Sequence, residues 1–226
     1  MRNDRYASAY PGTAWQAGMS QRVFDTRVMP LFGGGLLLAA VTAYIGMGLP
    51  PAICFGAMIL EFILVLTSGM WSRKEMGALN LGLYFLVTAL AGLAAVPLVR
   101  WGLGVGGPGL LVQAFAVSGL TFGGLMGYSM ITKRDFTGWG GFLVAAAIGL
   151  LITGIVNIFL QSSLIAFGFS AFAVLLFAGF VLYDMSIIRR HFDDSMYVMA
   201  AIMLFIDFMG LFKNILYLMG IMGSDD

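Results

Sequence analysis

Long apolar stretches separated by short polar intervals run through most of the chain. Each stretch has about 20 residues, the length of a helix that crosses the hydrocarbon core of a bilayer. Polar residues and glycines collect between the stretches and mark the connections. The pattern predicts an all-α membrane protein with seven transmembrane helices, at residues 28–47, 50–71, 79–99, 109–131, 138–160, 164–188 and 198–221.

The rest of the chain is divided between two polar ends and short connections. We predict that residues 1–27 form a polar cytoplasmic N-terminal tail and that residues 28–222 form a single seven-helix domain. Residues 223–226 are predicted to be a short acidic C-terminal tail. Because the connections are short, consecutive helices are expected to be antiparallel neighbours.

Composition supports a lipid environment for this pattern. Of the 226 residues, 60% are hydrophobic and only 10% are charged, whereas soluble domains carry about 25% charged residues. The net charge of +1 provides no strongly basic face for a nucleic acid. The single cysteine, Cys54, excludes an internal disulfide and most cysteine-based metal sites. The predicted partner is therefore the lipid bilayer, and no tightly bound cofactor is expected.

The cations indicate the orientation of the chain. The lone cation on one side of the predicted membrane is Arg100. The other side carries ten: Arg2, Arg5, Arg22, Arg27, Arg73, Lys74, Lys133, Arg134, Arg189 and Arg190. Since lysine and arginine accumulate on the cytoplasmic side, the N-terminus is predicted to be cytoplasmic. Seven spans then place the C-terminus outside, whereas a re-entrant last segment would leave both termini in the cytoplasm.

Two carboxyl groups are predicted to meet inside the membrane. Asp184 and Asp207 lie on the sixth and seventh spans, at similar distances from the turn that joins them. Two adjacent carboxylates cannot both ionise cheaply in a low dielectric, so they should titrate as a unit. The pair predicts a proton-sensitive latch or a transient site for a hard cation such as Ca²⁺. Alternatively, each aspartate bonds separately to backbone or hydroxyl groups.

A second pair of ionisable residues is predicted near the middle of the membrane. Glu61 lies on the second span and Lys213 on the seventh, and a charge at this depth costs at least about 2.5–3.5 kcal/mol. The two are candidates for a midplane ion pair. Alternatively, Lys213 extends to the interface and Glu61 is protonated. Arg73, just after the second span, is either a solvated topology signal or a gate partner that reaches the aspartates.

Several segments around these residues resemble the Bax inhibitor-1 family, also called the transmembrane Bax inhibitor motif family, and its bacterial members in particular. They are LLFAGFVLYD, which ends at Asp184, LFIDFMGLFKNIL, which contains Asp207, and GYSMITKRDFTGWGGF, with weaker support from VNIFL and from the residues around Glu61. The resemblance covers roughly residues 50–222, from the second span to the last.

The resemblance implies a seven-helix bundle in which the last helix is central and surrounded by the other six. It also implies a pH-sensitive calcium leak channel in a bacterial inner membrane, with Ca²⁺ as the permeant ion. Asp184 and Asp207 match the aspartates that act as proton sensor and gate in the family. Arg73 is the candidate for the family's arginine after the second helix, which engages these aspartates.

Two other functional hypotheses compete with a channel. The first is a non-conducting regulatory protein that binds and modulates another membrane protein, such as a protease or a death-pathway component. The second is an intramembrane aspartyl protease, for which Tyr183 and Asp184 fit half of the motif. However, Phe205 and Ile206 precede Asp207 where that class has a Gly-x-Gly segment, so an enzyme is not predicted.

Overall fold

The computed structural model describes residues 18–71, 78–132 and 134–223, and within these ranges all regular structure is helical. Its main helices are α1 (Gln21–Gly46), α2 (Pro51–Trp71), α3 (Ala78–Ile131), α4 (Gly140–Leu160), α5 (Ser163–His191) and α6 (Tyr197–Gly223). In the described ranges, six helices are long and apolar enough to cross a membrane, whereas the sequence pattern predicted seven. The prediction of an all-helical fold is confirmed.

The difference in number arises at α3, which contains both the third and the fourth predicted spans. Its 54 residues would extend about 80 Å, well beyond the hydrocarbon core of about 30 Å. Gly107 interrupts the helix with φ 65° and ψ −167°, a conformation that only glycine adopts readily. Pro108 follows, and proline suits the first turn of a new helix because its missing N–H needs no partner there. Residues 78–106 and 108–131 are therefore two helical segments joined at a kink.

The first helix begins at Gln21, earlier than the predicted start of the first span at residue 28. Ser20 caps it, because the Ser20 Oγ accepts a hydrogen bond from the Val23 N–H at 3.3 Å. Phe24–Val28 form a turn of π-helix that runs directly into the α-helix. Met19 and Phe24 are completely buried, so this part of the predicted polar tail packs into the bundle. The predicted tail residues 1–17 and 224–226 lie outside the described residues.

A tight turn joins α4 to α5. Gln161 ends α4 in the left-handed conformation, with φ 50°, and its N–H donates to the Asn157 carbonyl at 2.8 Å. Ser162 then caps α5 by accepting from the Ile165 N–H at 3.4 Å. The two helices therefore run antiparallel as neighbours, which the short connection predicted.

The last helix is the most buried of the six. Within its most apolar stretch 61% of the residues are buried, against 6% for the segment Thr137–Leu160 that contains α4. It packs against α1, α3 and α5. At Gly210 an added Cβ would overlap the Phe177 ring, so glycine is what allows α5 and α6 to approach closely here. This close approach sets the distance between the side chains that the two helices present to each other.

Candidate functional site

The two predicted aspartates lie together between α5 and α6. Asp184 is 6% exposed and Asp207 is 3% exposed, and their carboxyl groups are within hydrogen-bonding distance of each other. A hydrogen bond between two carboxyl groups requires that one of them carry a proton, because an ionised carboxylate only accepts. The arrangement can therefore hold a single shared proton in a buried position.

The turn between α5 and α6 determines which residues of the two helices face each other. Asp193 begins it, accepting a hydrogen bond from the Ser195 N–H at 2.8 Å.

The Asp207 Oδ2 is buried and has no hydrogen-bond partner among the residues described here. A buried acceptor without a donor is costly, so this oxygen is the natural place for a proton, a donor or a cation to bind. The predicted gate partner Arg73 lies outside the described residues.

The second predicted pair connects α2 with α6. The Lys213 Nζ lies 3.9 Å from the Glu61 Oε2, with the lysine side chain 30% and the glutamate side chain 15% exposed. Lys213 follows Asp207 by six residues, which is roughly 240° around a helix. The last helix therefore presents its aspartate and its lysine on different faces, towards different partners.

Within the described part of the chain, no group of three or more His, Cys, Asp and Glu side chains comes together in a way that could hold a metal ion. The two aspartates supply at most four carboxylate oxygens, whereas Ca²⁺ takes about 6–8 oxygen ligands. Water or carbonyl oxygens would have to complete the shell. Such a site suits an ion in transit better than a resident one.

Arg100, which the sequence analysis treated only as the lone cation of its side, has a structural role. Its Nη2 donates to the carbonyl oxygens of Gly46, Met47 and Leu49 at 3.3, 2.7 and 2.8 Å. These carbonyls lie at the end of α1 and in the turn after it, where helical hydrogen bonds run out and the helix dipole is negative. In the sequence, the sign of this role was that Arg100 stands alone as a cation on its side of the predicted membrane.

Arg189 was likewise counted as a loop cation, but it is buried in the last turn of α5. Its Nη1 donates to the carbonyl oxygen of Ser129, near the end of α3. One turn earlier on α5, the Ser186 Oγ accepts from the Phe136 N–H at 3.3 Å. These bonds fix the end of α5 that follows Asp184 against α3 and the connection after it.

The residues just before α1 and the start of α1 contact the end of α5, the turn that follows it and the start of α6. The N–H and Oγ of Ser20 donate to the two carboxylate oxygens of Asp194 at 2.7 and 3.0 Å, and the Met19 N–H donates to the Ile188 carbonyl at 3.2 Å. The Arg27 guanidinium lies 5.1 Å from the centre of the Tyr197 ring, at the start of α6. The N-terminal segment therefore holds the helix hairpin that carries the two aspartates.

A solvent-exposed ion pair lies at the same end of the bundle. The Arg190 Nη1 is 3.6 Å from the Asp135 Oδ2, and both side chains are more than 40% exposed. The Thr137 N–H donates to the Asp135 Oδ1 at 2.9 Å. The pKa of Asp135 is held below its ordinary value, first by the hydrogen bonds from Thr137 and to a smaller extent by the charge of Arg190.

Comparisons with known proteins give one family and several bacterial relatives. The model of the family described as "Inhibitor of apoptosis-promoting Bax1" matches residues 21–224. An uncharacterized protein of Campylobacter jejuni is 33% identical over 202 residues, which is 86% of each chain. An uncharacterized protein of Helicobacter pylori is 30% identical over 196 residues, 86% of this chain and 85% of that one. An uncharacterized membrane protein of Vibrio cholerae is 32% identical over 143 residues, 63% of this chain and 64% of that one. With the apolar helices, these matches identify an integral membrane protein.

Proposed function

Because the chain belongs to the Bax inhibitor-1 family, we propose that it is a pH-sensitive calcium leak channel in which Asp184 and Asp207 form the proton sensor and gate. The observation that supports this proposal is the contact between the two buried carboxyl groups across the α5–α6 interface. A buried pair of this kind changes its net charge with pH and is held by two helices that can separate.

The proposed channel has seven spans, with α6 at the centre of the bundle. The kink at Gly107 supports this count, because each of the two segments of α3 is close to the length of one span. The burial of α6 and its packing against α1, α3 and α5 support its central place. The cation distribution favours a cytoplasmic N-terminus, and the bacterial relatives favour a bacterial inner membrane.

In the closed state, Asp184 and Asp207 share one proton. One neutral and one ionised carboxyl group then hold α5 and α6 together. Raising the pH removes the proton, and two like charges at close range in a low dielectric repel each other. A repulsion of a few kcal/mol is enough to shift a two-state equilibrium by more than about tenfold.

The open state exposes both carboxylates on the ion path. Hard oxygen ligands of this kind attract Ca²⁺, with water completing its coordination. In this proposal Arg73 acts as the gate partner by compensating one of the two negative charges. No tightly bound cofactor is required, since Ca²⁺ is the permeant ion and protons are the signal.

Calcium flux into proteoliposomes, measured across pH, tests the proposal. Wild-type protein should conduct with a pH dependence that Asp184→Asn and Asp207→Asn flatten, because neither variant can develop the repulsion between two carboxylates. Asp135→Asn is the matched control: it removes an exposed carboxylate at the same end of the bundle, so it should keep the wild-type profile.

If both buried-site variants kept the wild-type midpoint and steepness, the pair would not be the sensor. If the wild-type protein carried no Ca²⁺ flux at any pH, the channel itself would be rejected. A non-conducting protein that modulates another membrane protein would then be the better hypothesis.

A further inference from the structure

Residues 18–28 cross the turn between α5 and α6, and we call them the N-terminal strap. The Met19 N–H donates to the Ile188 carbonyl in the last turn of α5 at 3.2 Å. The Arg27 guanidinium lies 5.1 Å from the centre of the ring of Tyr197, the first residue of α6. The strap therefore contacts both arms of the hairpin that carries the aspartate pair.

A third contact joins the strap to the turn itself. The N–H and Oγ of Ser20 donate to the two carboxylate oxygens of Asp194 at 2.7 and 3.0 Å. Hydrogen bonds to a carboxylate are stronger than those between neutral groups. The same Oγ caps α1 by accepting from the Val23 N–H at 3.3 Å. Ser20 therefore connects the first turn of α1 directly to the turn of the hairpin.

The strap is packed against the hairpin and is not a solvated tail. A Cβ added at Gly18 would overlap the carbonyl group of Arg189, and backbone in the last turn of α5 cannot move aside as the end of a flexible side chain can. Met19, Phe24 and Val28 are at most 1% exposed. Burial of these apolar side chains stabilises the strap in place, in addition to its hydrogen bonds.

The position of the strap matters because the turn is the hinge of the hairpin. Residues 192–196 connect α5 to α6, so the two helices cannot move far apart at this end. A separation of the helices at the aspartate pair therefore requires a change of angle at the turn. The strap contacts one arm at Ile188 and the other at Tyr197, so such a change must break or distort at least one of its contacts.

We propose that the N-terminal strap holds the α5–α6 hairpin in its closed arrangement and that loss of the strap's contacts favours separation of the two helices. This inference rests on the proposed function, because it names what restrains the opening of the same gate. The proton determines the repulsion between Asp184 and Asp207, and the strap determines how much repulsion is needed. Ser20 and Asp194 are positioning residues, which act through the angle of the hairpin.

Distances between spin labels at Leu164 and Met222 test the proposal without a measurement of flux. These residues lie near the far ends of α5 and α6 and are 79% and 66% exposed, so a change of angle at the turn moves them most. The full-length protein is measured by electron paramagnetic resonance in a Cys54→Ala background, at a mildly acidic pH at which the proposed gate is closed. Ser20→Ala should increase the separated population about tenfold, because a hydrogen bond to a charged group is lost.

The opposite partner provides a second test of the same contact. Asp194→Ala removes both acceptors, so its effect should be larger, and adding Ser20→Ala to it should change little more. Ser20→Thr keeps the hydroxyl and the helix cap, so it should restore the wild-type distances. Thr26→Ala is the matched control, because the Thr26 hydroxyl donates to the Arg22 carbonyl within its own helix.

The strap can also be displaced without a change in its hydrogen-bonding side chains. Gly18→Ala places a methyl group against the backbone of α5 and should separate the helices as Ser20→Ala does. Gly33→Ala is its control, since a Cβ added there on α1 meets no atom within 4 Å. Wild-type distances in Gly18→Ala, Ser20→Ala and Asp194→Ala, or an equal change in the two controls, would overturn the proposal.

Calcium flux into proteoliposomes separates this proposal from the channel. If the wild type conducts, Ser20→Ala and Asp194→Ala should raise flux at the mildly acidic pH about tenfold and keep the steepness of the pH response, because the aspartate pair is intact. Unchanged flux in variants whose helices separate would overturn the strap as a restraint on the gate. Separation of the helices with no flux in any variant would reject the channel and leave the strap supported.

Discussion

The last helix carries an acid and a base, and each of them contacts an acid on another helix. Asp207 meets a second acid, Asp184 of α5, whereas Lys213 meets an acid of opposite charge, Glu61 of α2. The first pair is almost completely buried and the second is partly exposed. Two ionised carboxylates cannot remain stably in contact in such a place, but an ionised lysine and glutamate can.

In the proposed mechanism the two pairs have different roles. The net charge of the aspartate pair would change when its shared proton leaves, and the attraction between α5 and α6 would change with it. The Glu61–Lys213 pair needs no proton exchange to remain neutral overall, and it joins α2 to α6 in either state. In the proposed channel, α6 separates from α5 while it remains bound to α2, because its aspartate and its lysine lie on different faces.

The largest effect on stability is expected for the pair of opposite charge. Glu61→Gln or Lys213→Met leaves one charge without its partner inside a membrane-spanning helix, at a cost of about 3 kcal/mol. The double variant should recover part of that loss. Thermal unfolding in detergent of the wild type, both single variants and the double variant measures the coupling.

Strictly additive losses in this cycle would show that the two side chains do not interact energetically. The contrast between the two pairs would then be wrong for Glu61 and Lys213. The Lys213 ammonium group would reach the interface independently of Glu61. Gly56→Leu on α2, where an added Cβ meets no atom within 4 Å, is a control for effects of substitution within the helix that carries Glu61.

A smaller effect is expected for the aspartate pair. In Asp184→Asn and in Asp207→Asn, the new amide donates a hydrogen bond to the remaining carboxyl group, as the shared proton does in the wild type. The hydrogen bond and the volume are kept, so each variant should lose less than about 1 kcal/mol. The measurement is the same thermal unfolding, at one pH near neutrality.

A loss in either asparagine variant as large as that of Lys213→Met would contradict this prediction. It would mean that the aspartate pair is mainly a structural contact and that its proton has no special role. The asparagine variants would then be unsuitable as flux mutants, because a change in flux could reflect damage to the bundle.

The sequence was sufficient to predict most of the helices and the meeting of Asp184 with Asp207. Apolar runs bounded by polar turns leave few alternatives in lipid, where every backbone group must be satisfied within its own segment. Two residues equally far from a short turn also have to lie at the same depth. The third predicted span was too short: α3 continues beyond residue 99 as far as the kink at Gly107, because residues 100–106 contain no proline to end it.

The roles of the buried and capping arginines could not be predicted in the same way. Arg100 and Arg189 donate to backbone carbonyls, which every residue offers, so no partner stands out in the sequence. Burial of Met19 and Phe24 was missed for a related reason. They are apolar residues in a largely polar segment, and only the folded structure shows that both are buried and that the Met19 N–H donates to the Ile188 carbonyl of α5.

The smallest effect is expected for the exposed pair of Asp135 and Arg190, which serves as the reference in water for the two pairs in the membrane. The pKa of Asp135 is lowered in the folded protein, mainly by hydrogen bonds from Thr137, so ionised Asp135 stabilises the fold. That contribution is complete above the ordinary aspartate pKa of about 4 and is lost as the pH falls through the lowered value.

When the pH is lowered from 6 into the acid range, the melting temperature of Asp135→Asn should therefore fall slightly less than that of the wild type. Arg190→Gln should keep nearly the wild-type slope, because the hydrogen bonds from Thr137 remain. If Arg190→Gln removed the acid dependence and Asp135→Asn did not, the ion pair would dominate even in water, and burial would not be what distinguishes the pairs on α6.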